Sequence, residues 1–377
     1  MTPLRYAVRA LALSLSLTAV GAFYVLGAAS TVHAAGNAPV GGPQLARAGV
    51  IVNLEPGVPA PPAMPGASFL IADMDTGQIL AARAPHRQSL PASTLKTLTA
   101  LTLIPRLDAN ATVVVQPEDV RVEGSRIGIL AGTAYTVQSL FQGLLMASGN
   151  DAAYTLARAN QSVAVTLGEM NATAAHLGAL DTVAKDPGGL DQPGQTSSAY
   201  DLALIGRAAM KLPGFRSYVS TKTASFPGGR SSQGTMLPGF KINNHNRLLY
   251  NYDGTIGIKN GYTIAAEQTF IGAATRGGKT YIVTEMASPN GSWRPTAALL
   301  DWAFAHGASL TPIGELVEPG TATSRGRTSA AGGLARPAAT ESVRPPELQP
   351  WRGVAVLLGG VALVGAFAVR SISRRRT

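Results

Sequence analysis

Leu90-Pro91-Ala92-Ser93-Thr94-Leu95-Lys96 opens the run Thr97-Leu98-Thr99-Ala100-Leu101-Thr102-Leu103-Ile104. The small residues after Pro91 mark the approach to a helix. Leu95, Leu98 and Leu101 recur at helical spacing, which predicts Ser93 in the first turn. Residues three apart share a helix face, so the Lys96 amine is expected beside the Ser93 hydroxyl. A serine hydroxyl becomes a useful nucleophile only when a neighbouring base takes its proton. Lysine can be that base if desolvation or nearby positive charge leaves it neutral. The helix N-terminus adds free backbone N–H groups where an oxyanion would develop. Alone, the signal is weak, because chance places about one or two Ser-x-x-Lys tetrapeptides in a chain this long. Of the seven lysines, only Lys96 has serine three positions earlier.

The 377 residues include no cysteine, which removes disulfides, thiolate nucleophiles and Cys-ligated metal centres in one step. No metal site and no cofactor is predicted. The net charge of +10 suggests nucleic acid until it is located. Arg5 and Arg9 precede the first apolar run, and Arg352, Arg370, Arg374, Arg375 and Arg376 flank the last one. The body between them is only slightly positive and has no basic run interleaved with aromatics, so nucleic acid is not an expected partner.

Residues 1–35 read as a signal peptide: a basic start, an apolar stretch from Leu11 to Leu26, and small residues around Val32-His33-Ala34. An uncleaved anchor is the alternative, and either places the body outside the cytoplasm. Residues 36–66, rich in Gly, Pro and Ala, are expected to be a flexible linker. Residues 67–310 form the expected folded domain. It begins with a hairpin, Ser68–Asp73 and Gln78–Arg83, followed by the Ser93 helix. Helices are expected over Val137–Met146, with Thr136 as cap, and over Ala152–Arg158, Val163–Gly178 and Ser198–Lys211. Strands at Thr255–Thr263, Gln268–Arg276 and Thr280–Ala287 and a helix from Ser292 to His306 close it. This order predicts an α+β fold, an antiparallel sheet made from both chain ends with a helical block inserted between. Residues 311–350 read as a flexible tether. Gly353–Val369 is 17 residues without a charge, near the lower limit for crossing a bilayer. Residues 351–370 are therefore expected to span a membrane, and 371–377 to form a basic cytoplasmic tail. The expected address is the cell membrane, with one C-terminal anchor and the folded domain outside the cytoplasm.

Two further stretches carry residue types that an acyl-transfer serine would use. Ser148-Gly149-Asn150 lies at a tight turn between two helices. Its hydroxyl is suited to relaying a proton to a leaving amine, and its Asn amide to holding both Lys96 and a substrate carbonyl. Lys259-Asn260-Gly261-Tyr262-Thr263 lies on an expected strand, where Gly261 lets a ligand backbone approach closely. Lys259 offers a positive charge, and the Tyr262 N–H an oxyanion donor beside that of Ser93.

With three such motifs in this order, residues 68–306 resemble the low-molecular-mass penicillin-binding proteins, specifically the serine D-alanyl-D-alanine carboxypeptidases. The likeness extends to Gly149-Asn150-Asp151-Ala152-Ala153, Ser198-Ala199-Tyr200-Asp201-Leu202-Ala203-Leu204, Asn244-His245-Asn246-Arg247-Leu248-Leu249 and Asp253-Gly254-Thr255-Ile256-Gly257-Ile258-Lys259. The resemblance implies the transpeptidase fold shared with β-lactamases. It implies Ser93 as acyl-ester nucleophile, Lys96 as its base, Ser148 and Asn150 as the second motif, and Lys259 as the substrate-binding third-motif lysine. Backbone N–H groups of Ser93 and Tyr262 would form the oxyanion hole. Lys259, with Asn260, Thr263 and Arg294, would read the substrate's terminal carboxylate. The implied partners are peptidoglycan stem peptides and, as covalent inhibitors, β-lactam antibiotics. The implied reaction removes the terminal D-alanine from stem pentapeptides, which limits cross-linking.

One residue departs from the family. The third motif is most often Lys-Thr-Gly, and Asn260 here replaces the threonine with a longer amide. That leaves a catalytically silent peptide receptor as one alternative. A serine β-lactamase is another, but Glu169-Met170-Asn171 lacks the spacing its deacylating loop requires. A Ser-His-Asp hydrolase is disfavoured by the absence of a Gly-x-Ser-x-Gly elbow. His86, His176, His245 and His306 are assigned to packing or the surface.

Overall fold

The computed structural model describes residues 38–289 and 293–321. Its central sheet comprises β1 (Val50–Val52), β2 (Ser68–Asp73), β3 (Gln78–Arg83), β4 (Thr255–Thr263), β5 (Glu267–Arg276), β6 (Lys279–Ser288) and the short β7 (Gly314–Glu315). The order is β1-β3-β2-β6-β5-β4, with β7 also on β3, and every pairing is antiparallel. Both chain ends thus build one sheet. Between β3 and β4 lie α1 (Lys96–Leu103), α2 (Val137–Met146), α3 (Asn150–Ala159), α4 (Val163–Leu177), α5 (Ala199–Ala209) and α6 (Pro213–Ser220); α7 (Arg294–His306) follows β6.

All six residues of β2 are buried, so both faces of the sheet are covered. Alternation assigns them. Leu70 and Ala72 join the larger core with Leu202 and Ile205 of α5, whereas Phe69 and Ile71 pack in a second core with Leu299, Leu300 and Trp302 of α7. Capping follows the expected chemistry, because the side chains of Thr136, Ser162 and Ser198 each accept a backbone N–H at the start of α2, α4 and α5. The helix α1 runs through the inserted block with seven of its eight residues buried. Its threonines stay polar-satisfied where they can: Thr99 Oγ1 donates to Pro187 O at 2.7 Å.

Three expectations change. Residues 38–66 are packed chain rather than free linker: β1 pairs with β3, Leu45, Ile51 and Met64 are buried, and Trp302 Nε1 donates to Pro59 O. Single apolar side chains can enter a core built by other segments without any periodicity of their own, and composition misses that. For the same reason the tether does not begin at residue 311. Glu315 pairs with Gln78, Leu316 and Val317 are buried, and Glu318 pairs with Arg207 at 2.7 Å. Finally, residues 223–243, to which the sequence pattern gives no element, form two small strand pairs, Thr223–Phe226 with Phe240–Asn243 and Gly229–Arg230 with Met236–Leu237. Strands of two to four residues broken by Gly and Pro carry too little alternation to register. The expected signal peptide, membrane span and basic tail, and the rest of the tether, lie outside the described residues. Among the described residues, no helix is long and apolar enough to cross a membrane.

Candidate active site

Ser93 sits in a 3-10 turn, Ala92–Leu95, that runs directly into α1, with Lys96 as the first residue of that helix. The three-residue spacing brings Lys96 Nζ to 2.9 Å from Ser93 Oγ. Lys96 is fully buried, and its amine also meets Asn150 Oδ1 at 2.6 Å and Gly188 O at 2.5 Å. Asn150 Nδ2 donates to Glu123 O at 2.6 Å, which orients the amide with its oxygen toward Lys96. Those two oxygens can only accept. They therefore take two N–H bonds from the amine and leave its third tetrahedral direction to Ser93 Oγ. In a neutral amine that direction is the lone pair, and Ser93 O–H donates into it. Burial holds the Lys96 pKa down at about 7, although Asp186 and Asp151 pull the other way.

Ser148 follows α2 in a left-handed conformation, φ 60°, which turns the chain sharply into α3. Its Oγ accepts from Lys259 Nζ at 3.1 Å, and Lys259 Nζ also donates to Asn260 O at 2.8 Å. Lys259 is 1% exposed. Burial, and then the charge of Lys96, push its pKa well below the usual lysine value. Two contact groups thus face each other, Ser93–Lys96–Asn150 and Ser148–Lys259, close enough for the Lys96 charge to be felt at Lys259.

The strand β4 is the free edge of the sheet, and it lies directly against the nucleophile turn. Gly261 makes this approach possible. A Cβ there would stand 2.7 Å from the Ser93 N, 2.9 Å from the Thr94 N and 2.4 Å from Thr269 Oγ1. Thr269, opposite Gly261 on β5, donates to Pro91 O at 2.7 Å and so pins the turn two residues before the nucleophile. Gly189 makes a comparable approach from the other side, at φ 79°, where a Cβ would meet Ala92 O at 2.0 Å.

The loop carrying Gly188 is braced from within. Asp186 accepts from the Gly188 and Leu190 N–H groups and from Tyr154 O–H. Asp151 accepts from the N–H groups of Ile127, Gly128 and Ile129, which fixes the segment beside Asn150. His245 N–H donates to Met146 O at 2.9 Å, joining the Asn244–Leu249 segment to the end of α2. Burial and the Lys259 charge keep the His245 imidazole pKa below its usual value.

The remaining expected residues fall at the rim. Asn260 is half-buried, Tyr262 is 59% exposed, and Ile264 at 90% is the most exposed large apolar residue described. Arg294 is exposed at the start of α7, its guanidinium 5.1 Å from the centre of the Trp293 ring. Thr263 is already engaged. Its hydroxyl donates to Asp191 Oδ1 at 2.9 Å and accepts from Ala266 N–H, so it closes a latch between β4 and the Asp186–Gln195 loop instead of facing a ligand unengaged. Residues that sequence reading passed over are Thr269, Gly188, Asp186, Asp151, Thr99 and Asp191. Asp186-Pro187-Gly188-Gly189-Leu190-Asp191 reads in sequence only as a turn, Asp151 stands inside a family-like segment without a role of its own, and no local pattern marks Thr99 or Thr269.

A protein-family model described as D-alanyl-D-alanine carboxypeptidase, peptidase S11, matches residues 56–290. The D-alanyl-D-alanine carboxypeptidase DacB2 of Mycobacterium tuberculosis is 44% identical over 248 residues, 64% of this chain and 83% of the relative. A D-alanyl-D-alanine carboxypeptidase of Streptomyces sp. K15 is 34% identical over 247 residues, 61% of this chain and 84% of the relative. Among solved structures, a D-alanyl-D-alanine carboxypeptidase of Mycobacterium tuberculosis superposes with a TM-score of 0.65 at 40% identity, covering 70% of this chain and 99% of that one. The Streptomyces K15 DD-transpeptidase superposes with a TM-score of 0.61 at 30% identity, covering 66% of this chain and 100% of that one. The three-motif geometry, the antiparallel sheet with its inserted helices, and these likenesses agree: the chain belongs to the D-alanyl-D-alanine carboxypeptidase family of serine peptidases, S11.

Proposed function

We propose that this chain removes the terminal D-alanine from peptidoglycan stem pentapeptides through an acyl-enzyme on Ser93, trimming them to tetrapeptides and limiting cross-linking. The observation that carries the assignment is the buried Lys96 amine, held by Asn150 Oδ1 and Gly188 O and left facing Ser93 Oγ. Ser93 Oγ attacks the carbonyl of the penultimate D-alanine while its proton passes to Lys96. The N–H groups of Ser93 and Tyr262 stabilise the oxyanion. The C–N bond then breaks, and Ser148, beside Lys259, relays to the departing D-alanine amine the proton that Lys96 took from Ser93, which leaves Lys96 neutral and Ser148 a hydroxyl. Water attacks the ester, with Lys96 again the base, and regenerates Ser93. As a free sheet edge, β4 offers backbone groups along which an extended peptide can pair. A β-lactam enters the same first step and acylates Ser93.

The test is release of free D-alanine from a diacyl-Lys-D-Ala-D-Ala peptide, inhibited by penicillin. A purified protein that forms the penicillin adduct but releases no D-alanine from peptides or muropeptides would be a silent receptor instead. The rate of acylation is expected to rise tenfold per pH unit below about 7 and to level off above it, since only neutral Lys96 accepts the proton. A flat profile between pH 5 and 8 would remove Lys96 from the role.

Lys259, Asn260, Thr263 and Arg294 remain the proposed readers of the terminal carboxylate, with Thr263 acting from its latch. Asp191 then places a negative charge beside the carboxylate. Asp191→Asn is expected to lower KM for free-acid peptides about three- to tenfold, the scale of one exposed like-charge contact, and to leave kcat near wild type. Equal KM values in the two proteins would show that the carboxylate binds elsewhere.

We also propose the cell membrane as its address, through residues 351–370, with the catalytic domain outside the cytoplasm. A reporter fused after Thr377 should be cytoplasmic; a reporter found outside reverses the topology.

A further inference from the structure

On the side of the domain where the N-terminal arm packs, His86, Asp181 and Asp201 each place one ligand-type atom within 4.8 Å of the others. They line a cavity of about 230 Å³ together with Val40 and residues of the arm and the α4–α5 loop. His86 Nδ1 lies 2.8 Å from Asp181 Oδ2, and its Nε2 lies 3.0 Å from Val40 O. Asp201 is 1% exposed, inside the first turn of α5. One of its oxygens, Oδ2, accepts from Thr182 Oγ1 at 2.7 Å. The other, Oδ1, is sealed from solvent without a hydrogen-bond partner; burial, and then the charge of Asp181, push the Asp201 pKa up to about 7, while Thr182, His86 and the Asp181 backbone N–H pull it back. A buried carboxylate oxygen left without a donor is costly, by roughly 1–3 kcal/mol or more for a charged group, unless something of positive charge meets it.

We propose that His86, Asp181 and Asp201 bind a divalent cation of the zinc type, with the Val40 carbonyl at the edge of the site. One imidazole and two carboxylates are ligand types that zinc accepts, and the Val40 carbonyl or a water would complete a set of four. They supply too few oxygens for calcium, which takes about six to eight. Tetrahedral ligands at about 2.0–2.2 Å from zinc stand about 3.4 Å apart. The 2.8 Å His86–Asp181 contact and the 4.8 Å limit bracket that spacing. Ligation by Nδ1 gives up the His86–Asp181 hydrogen bond, and ligation by Nε2 gives up the contact with Val40 O; in either case the ligating nitrogen must be free of its proton, which passes to solvent if it was present.

The site joins four segments. His86 lies seven residues before Ser93, and between them Ser89 bridges to Ser197, four residues before Asp201. Asp181 belongs to the α4–α5 loop, and Val40 to the arm. In a chain without cysteines, such a cation would brace the approach to the nucleophile and hold the arm, as a staple and not as a participant in the chemistry.

The full chain, stripped with EDTA and dialysed against zinc, should retain one zinc per molecule by elemental analysis and melt at a higher temperature than the stripped protein. Cobalt in place of zinc should give the intense visible bands of a four-coordinate site. His86→Gln and Asp201→Asn should each weaken zinc binding at least tenfold by calorimetric titration, whereas His176→Gln should bind as wild type. Circular dichroism checks that each variant folds, and the cobalt spectrum of the wild type decides the matter if one does not. Absence of stoichiometric zinc, an octahedral cobalt spectrum, or unchanged affinity in folded His86→Gln and Asp201→Asn would each overturn the proposal.

Discussion

Lys96→Arg is expected to slow formation of the penicillin adduct by about four orders of magnitude, the upper end for loss of a general base, whereas Ser93→Ala, with no hydroxyl to acylate, should form none. The substitution keeps a positive side chain of similar reach but cannot shed its proton. At Lys96 the proton is what matters. Two of the three directions around Nζ are fixed by oxygens that only accept, and the third faces Ser93 Oγ at 2.9 Å. A guanidinium in that place has donors in every direction and no lone pair to offer. Because the adduct forms on Ser93 itself, any residual mass shift in Lys96→Arg should vanish in the Ser93→Ala/Lys96→Arg double variant. Intact-mass analysis after incubation with a penicillin measures all three, and a thermal melt shows whether the buried guanidinium is tolerated. A folded Lys96→Arg protein acylated within tenfold of wild type would mean that another group takes the Ser93 proton, and the whole reading of the Lys96 environment would have to be abandoned.

The parts of this arrangement that were legible in the sequence are those where spacing and geometry coincide. Ser93 and Lys96 are three residues apart on a helix, so one glance at periodicity places them in contact. The hairpin of β2 and β3 and the strands β4 to β6 have alternation and turn chemistry of their own. The second and third motifs carried meaning only through their resemblance to a family, since nothing in Ser148-Gly149-Asn150 itself says that Lys259 Nζ will reach Ser148 Oγ across 111 residues of chain. What was illegible has two physical causes. Backbone groups such as Gly188 O hold Lys96 without leaving any mark in residue identity. Single side chains such as Thr269, Asp191 and Leu45 act through long-range packing, where no periodicity exists to be read. The arm at residues 38–66 and the strand β7 failed for the second reason, because each is ordered by docking onto an edge that other segments build.

Gly261→Ala tests that edge from the other side of the nucleophile, and it is expected to lower the acylation rate about 10²–10³-fold while leaving Ser93 and Lys96 chemically intact. The added methyl carbon would stand 2.7 Å from the Ser93 N and 2.4 Å from Thr269 Oγ1. Carbon contacts settle at about 3.5–4.0 Å, so β4 and the nucleophile turn must part by roughly 1 Å. Thr269 resists that movement, since it is bonded to Pro91 O from β5, the strand that carries β4. A displacement of that size at reacting atoms costs on the order of 10²-fold. Losing one oxyanion donor costs about 10²–10³-fold, equivalent to roughly 2.7–4 kcal/mol. Both outcomes follow from the same contact, because the Ser93 N–H is the group the new carbon would cover. Gly168→Ala provides the comparison: it lies on α4 with nothing within 4 Å of its added carbon, and it should acylate normally. The rate of penicillin acylation and the release of D-alanine should fall together in Gly261→Ala, since both pass through the same oxyanion. An acylation rate within threefold of wild type would show that β4 can yield without disturbing the Ser93 N–H, and the oxyanion site would then have to be sought elsewhere.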